Sequence, residues 1–313
     1  MAHTTRTRHR KQSDRPARRA AKDGRRILRR ESPTVVAVLT DLADFAAMRG
    51  YRSFTFDDYP TYLRQIESLL RSLTSRGIHV RVGPFDPAEY AEYCADTGHE
   101  PDSSGSRTRY AADITTTGPT VPYTGQPLEL LITEIEYEAG RQATWERASG
   151  ILAGAGECAG CGDDLARTSF DRASQALMRL FEAAGPGHHH LVCSVPADGT
   201  TLLAAMHARC DEQGMVHLVE AEALVCCTVL AAGIAEDSGG GVVMRSGTGA
   251  GQPPKDRPDE VRGWTLSDGW LHPLTEAEVF NAYCTDAESG DPVPPEPGVV
   301  HRPGFALPPP EDG

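Results

Sequence analysis

Between Asp57 and Val82 the chain reads DDYPTYLRQIESLLRSLTSRGIHVRV, and this stretch narrows the fold more than any other. Asp58 is placed to cap a helix and Pro60 suits its first turn. Leu63, Ile66, Leu70 and Leu73 recur on one stripe before Gly77 ends it. Ile78, Val80 and Val82 then alternate with His79 and Arg81 at the period of a strand. Upstream, TVVAVLT (34–40) reads as a buried strand and YRSFTF (51–56) as a half-buried one; downstream, AEYAEYCAD (88–96) starts a helix from a box made by Asp86 and Glu89. Strand, helix, strand, helix in succession predicts an α/β layer.

The remaining chain extends this into an α/β protein of two lobes of mixed strands and helices, with a disordered basic N-terminal arm and a Pro-rich C-terminal tail. Residues 1–31 form the arm and 32–97 a small α/β lobe. The polar, turn-rich 98–126 reads as a linker, because a connection of that length is either functional or a tether. Residues 127–286 make a larger α+β lobe. Within it we expect a helix from Leu128 to about Leu152, one from Ala173 to Ala184 ended by Gly185, a strand HLVCSV (190–195), and a helix from Thr200 to about Gln213. The run VHLVEAEALVCCTVLAAGI (216–234) cannot be divided by periodicity, GGGVVMRSG (239–247) offers a strand, and Thr275 with Glu278 caps a last helix. Residues 287–313, rich in proline, read as an extended and largely unpacked tail.

Charge is distributed unevenly. The chain of 313 residues carries net −13, yet residues 1–30 hold 12 Lys and Arg against Asp14 and Asp23, leaving net −23 on the rest. An acidic body repels nucleic acid and anionic membrane, while the arm can attract either or contact a protein. The arm equally reads as solvated chain or as an early-assigned start. The 28 arginines against 3 lysines fit the coding bias of a GC-rich bacterial genome. No stretch approaches the roughly 20 apolar residues of a membrane helix, and the run after the paired arginines 25–26 and 29–30 is too short for an export signal, so a cytoplasmic protein is expected.

Eight cysteines in that compartment read as thiols. GECAGCGDD (156–164) places Cys158 and Cys161 two residues apart among glycines, the geometry of a zinc knuckle. HHHLVC (188–193) offers His190, separated from Cys161 by 28 residues, and Cys193 as the second pair of a structural zinc site. On a regular strand those two residues point to opposite faces. A redox pair is the second reading of the turn, opposed by Glu157, Asp163 and Asp164, which disfavour thiolate; a plain glycine-rich turn is the third. HHHLVC also resembles the metal-binding stretch of ferric-uptake regulators, although Pro196 stands where that family has its second cysteine.

The reading that follows is a cytoplasmic non-catalytic binding or regulatory protein. The alternative is a metal- or thiol-dependent hydrolase using the Cys158/Cys161 and His190/Cys193 region. Deleting residues 1–30 is expected to leave the melting temperature unchanged and to abolish any affinity for nucleic acid, an affinity that in the full chain falls steeply from low to physiological salt. Salt-insensitive binding by the truncated chain rejects this assignment.

Overall fold

The computed structural model describes residues 34–157, 162–197, 199–247, 258–286 and 289–309, the side chains of 114–117 excepted. The protein is mixed α/β, and among the described residues it has two sheets and eight helices. The chain divides between Gly140 and Arg141 into two compact units.

The first unit runs β1 (Thr34–Val38), α1 (Leu42–Met48), α2 (Tyr59–Ser75), β2 (Val80–Pro84), α3 (Pro87–Thr97), α4 (Ser104–Thr117), β3 (Val121–Tyr123) and the first half of α5 (Leu128–Gly154). Its sheet order is β1-β2-β3. β1 and β2 are parallel, Val36 opposite Val82, and the connection such a pair requires is supplied by α1 and α2. β3 is antiparallel to β2. Asp58 caps α2 through a 2.6 Å bond from the Thr61 amide. Asp86 caps α3 by accepting from Ala88 and Glu89 amides, while Glu89 turns to the Tyr110 hydroxyl at 3.1 Å. Phe45, Tyr62, Leu70, Val80, Val82 and Tyr90 are buried in the core, joined by Leu131 and Ile135 of α5.

Two expectations change here. YRSFTF is irregular chain: the alternation holds, with Phe54 and Phe56 partly buried and Ser53 and Thr55 exposed, but among the described residues no strand pairs with it. The stretch 98–126, expected as a linker, carries α4 and β3 and belongs to this unit. Among the α4 residues whose side chains are described, only Ser106 and Tyr110 are buried, so its composition is that of a surface segment although its backbone is helical.

The second unit contains the rest of α5, then α6 (Leu165–Ala184), β4 (Gly187–Ala197), β5 (Thr200–Cys210), β6 (Val216–Leu218), α7 (Glu220–Ala235), β7 (Gly240–Gly247), β8 (Asp259–Ser267), β9 (Trp270–Pro273), α8 (Glu276–Tyr283) and β10 (Val299–His301). The sheet order is β10-β8-β7-β4-β5-β6, with β9 on β8. One face carries the core: Leu191, Met206 and Met244 lie in one cross-strand row, and Cys193, Ala204 and Val242 in the next. α6 and α7 contribute Leu177, Phe181, Cys226, Val229 and Leu230 to it. α7 is apolar on nearly every side because it is buried along nine residues from Val225 to Gly233. Gly233 lets it lie close to the sheet, since a Cβ there would stand 2.8 Å from Leu266 Cδ2 and 3.0 Å from Val195.

The expected helix from Thr200 is a strand instead. Leu202, Ala204, Met206, Ala208 and Cys210 are buried and alternate with Thr201, Leu203, Ala205, His207 and Arg209. Alanine, leucine and methionine favour a helix locally, but an eleven-residue pairing with β4 wins. The tail also differs from expectation. β10 pairs parallel to β8, and the chain after it crosses two indoles: Trp264 Nε1 donates to Phe305 O and Trp270 Nε1 to Leu307 O, both at 2.9 Å. Leu307 is buried in the core and Arg262 donates to Pro303 O at 2.7 Å.

This strap is expected to stabilise the second unit. Leu307→Ala should cost about 2–3 kcal/mol, which corresponds to a fall of roughly 5–10 °C in its melting temperature. Ending the chain at Pro303 should cost more and shift tryptophan emission to the red. Melts and emission identical to the full chain reject a packed tail.

Candidate functional site

β4 decides the fate of the residues that the sequence singled out. Cys193 shares the core face with Leu191 and Val195 and is fully buried. His190 lies on the opposite face, its ring stacked on His207 of β5 at 4.5 Å between centroids. A single ion cannot take ligands from both faces of one strand, so the expected zinc quartet is not assembled from His190 and Cys193 together. Cys158 and Cys161 lie outside the described residues. Among the described residues no group of three or more His, Cys, Asp and Glu is arranged to hold a metal.

Four of the described thiols, Cys193, Cys210, Cys226 and Cys227, are also poorly suited to nucleophilic work. Burial pushes Cys193 up to about 12, with Cys227 nearby adding to the effect. Burial likewise raises Cys226, Cys227 and Cys210 above the usual thiol range. A thiol held protonated at neutral pH attacks slowly.

His189, which sequence reasoning passed over, faces the core. Its Nε2 lies 3.0 Å from Gly185 O and its Nδ1 2.9 Å from Ser246 Oγ. A carbonyl only accepts, so the neutral tautomer places the proton on Nε2 and Nδ1 accepts from the hydroxyl. Both nitrogens are engaged in structure, and burial lowers the pKa.

Among the described residues, concave surfaces of about 370 and 400 Å³ lie beside Ile151 and Glu236 and over His188, His190 and His207, and two others are larger. The first, about 570 Å³, lies on the outer face of the second unit's sheet, with Val192, Leu203 and Val243 as floor and Ala282 and Tyr283 of α8 as wall. Its charge is internally satisfied. Arg245 donates to Asp259 at 2.8 Å and with two nitrogens to Glu296 at 2.8 and 3.2 Å, while Tyr283 donates to Glu296 at 3.1 Å. The Arg245 and Tyr283 bonds hold Glu296 below the usual carboxylate range. This clamp joins β7, β8 and the segment before β10.

The second surface, about 670 Å³, lies in the first unit between β1, α2, α4 and the 53–56 segment. Val36 and Leu39 come from the β1 side, Tyr62, Ile66 and Leu69 from α2, Phe54, Phe56 and Phe85 from loops, and Ser104, Arg107 and Thr108 from α4. A polar network keeps it in shape. Asp102 accepts from the amides of Arg52 and Ser53 at 3.0 and 2.7 Å, and Arg107 donates to Ser53 Oγ at 3.0 Å and Ser53 O at 3.2 Å. The bonds from Ser53 hold Asp102 below its ordinary pKa. On the opposite wall the Leu39 amide donates to the buried Tyr62 hydroxyl at 3.0 Å, tying α2 to the end of β1. Phe54 stays in ring contact with Phe45 and Phe56 at 5.6 and 4.9 Å. Arg107 is the one charged side chain among the described lining residues. The signal for this cavity in the sequence is the density of rings from Phe45 to Tyr62: Phe45 lies on α1, Tyr59 and Tyr62 on α2, and Phe54 and Phe56 on the irregular segment between them.

Residues 23–126 match the family described as Domain of unknown function (DUF8829). That span runs without a break through 98–126 and contains every described residue lining the cavity of the first unit. No curated protein and no solved structure matches the chain.

Burial lowers the pKa of His189 and His190 in the folded state. The folded protein therefore binds fewer protons than the unfolded chain once pH falls below about 6.5. Stability should be complete above that value and decline as pH falls toward the folded pKa. His189→Gln should flatten this part of the profile. Melting temperatures that hold constant from pH 8 to 5 in the wild type contradict it.

Proposed function

We propose that the protein is a non-catalytic binding or regulatory protein whose first unit recognises a small ligand in the cavity between β1, α2 and α4. The carrying observation is the cavity itself: about 670 Å³, open, walled by aliphatic and aromatic side chains, and provided with a few polar groups on one side. Sites for small molecules have this size and character. The described lining residues include no cysteine, histidine or carboxylate, the groups most used for nucleophilic or general-base chemistry.

A cytoplasmic location suits the reading. Six cysteines stand as buried free thiols, and no described helix is long and apolar enough to cross a membrane. The basic arm gives the acidic body a contact of opposite charge for a protein or nucleic-acid partner. Occupancy of the cavity and engagement of that partner would be the two inputs of a regulator.

The test uses N-phenyl-1-naphthylamine, a neutral apolar fluorophore, titrated into the full chain. One equivalent should bind with enhanced emission. Ala111→Phe, which places a ring on the α4 wall, should reduce affinity at least tenfold while the protein still melts cooperatively. Leu203→Lys on the second unit's sheet should leave binding intact. Absence of binding, or binding indifferent to Ala111→Phe, overturns the assignment.

A further inference from the structure

The two larger concave surfaces differ in how their cations are placed. Arg245, in the second unit, is held by two carboxylates, so its charge is matched within the protein. Arg107, in the first, donates among the described residues to the hydroxyl and carbonyl of Ser53, both neutral acceptors. Asp102, which feels the Arg107 charge, directs its carboxylate to the amides of Arg52 and Ser53. A guanidinium has five N–H donors in a fixed fork, and two recorded bonds leave donor capacity on it. Its surroundings in the cavity wall are the hydroxyl side chains of Ser53, Ser104 and Thr108, with the positive end of the 14-residue α4 on the same side. The rest of the described lining is apolar apart from Thr34 and Tyr62, whose hydroxyl is engaged by the Leu39 amide.

Resting on the reading of this cavity as a ligand site, we infer that its ligand is a monoanionic amphiphile, an aliphatic or aryl carboxylate. The carboxylate lies on Arg107 and the apolar body lies among Val36, Leu39, Phe54, Phe56 and Phe85. A planar guanidinium fork matches a carboxylate in two parallel bonds, which a point charge does not. The low-dielectric walls strengthen that pairing relative to water. A neutral ligand of the same shape leaves the fork without an anion. A polyanion brings more charge than one cation offsets and would set the excess against aromatic rings.

Charge complementarity also sets the orientation. The head faces α4 and the 53–54 turn, so a bound carboxylate shares Arg107 with Ser53 and draws the turn and the helix together. Selection between ligands of equal length therefore depends on the head, and selection among carboxylates depends on the body.

Decanoate and decan-1-ol, competing against N-phenyl-1-naphthylamine in the full chain, test this. Decanoate should displace the fluorophore at a concentration at least tenfold below that needed for the alcohol. Arg107→Met should bring decanoate to the alcohol's value and leave the alcohol where it was. Arg107 also braces Ser53, so Arg107→Lys is run beside it: charge is kept and the fork is lost, and the preference should fall to an intermediate value with fluorophore binding retained. If both arginine variants lose the fluorophore, the wild-type ratio decides. Equal displacement by acid and alcohol in the wild type, or a preference that survives Arg107→Met, overturns the carboxylate assignment while the cavity still binds. Failure of the fluorophore to bind overturns the ligand-site reading itself.

Discussion

β4 is paired along eleven residues with β5 on one side and along seven with β7 on the other, and that double pairing governs the second unit. A strand fixed on both edges cannot rotate or slip, so each of its side chains has one environment assigned to it. His189, Leu191, Cys193 and Val195 meet the helices; His188, His190, Val192 and Ser194 meet the outer face. The chemistry of the individual residues follows from that division. Cys193 is an inert core thiol because it is on the inner side, and His190 stacks on a second histidine because its neighbour in register is His207.

The same sheet is closed at its far end by a strap rather than by another helix. Trp264 and Trp270 are large and apolar, but each carries an indole N–H that must find an acceptor when buried. The carbonyls of Phe305 and Leu307 supply those acceptors. Prolines in the tail do not prevent this, because the strap contributes carbonyl groups at these points and a proline retains its carbonyl. The segment that composition marks as unpacked thus completes the core.

In the first unit the arrangement has a different logic. Arg107 and Asp102 hold the same short turn from two directions, one through Ser53's oxygens and the other through the amides of Arg52 and Ser53. The turn in turn places Phe54 against Phe45 and Phe56. The cation that braces the turn is also among the residues that line the cavity.

What the residues determined by themselves are the features set within a few positions of one another. Asp58 and Asp86 cap α2 and α3 as their spacing indicates, Thr275 and Glu278 form a reciprocal box at α8, and β1, β2 and β4 overlap the stretches 34–40, 78–82 and 190–195 that read as strands. The alternation of Phe54 and Phe56 with polar neighbours was also legible, though not the absence of a partner strand. Only the tertiary structure decided the rest. Thr200–Cys210 became a strand because β4 offered a long edge, against the local preference for a helix. Residues 98–126 joined the first unit because β3 found β2. His190 and Cys193, three positions apart in sequence, were parted by the two faces of one strand, and the cavity arose from six segments that no local pattern connects. Caps and periods act over one or two turns of chain, whereas pairing, burial and concavity depend on what lies opposite, and that is settled only when distant segments meet.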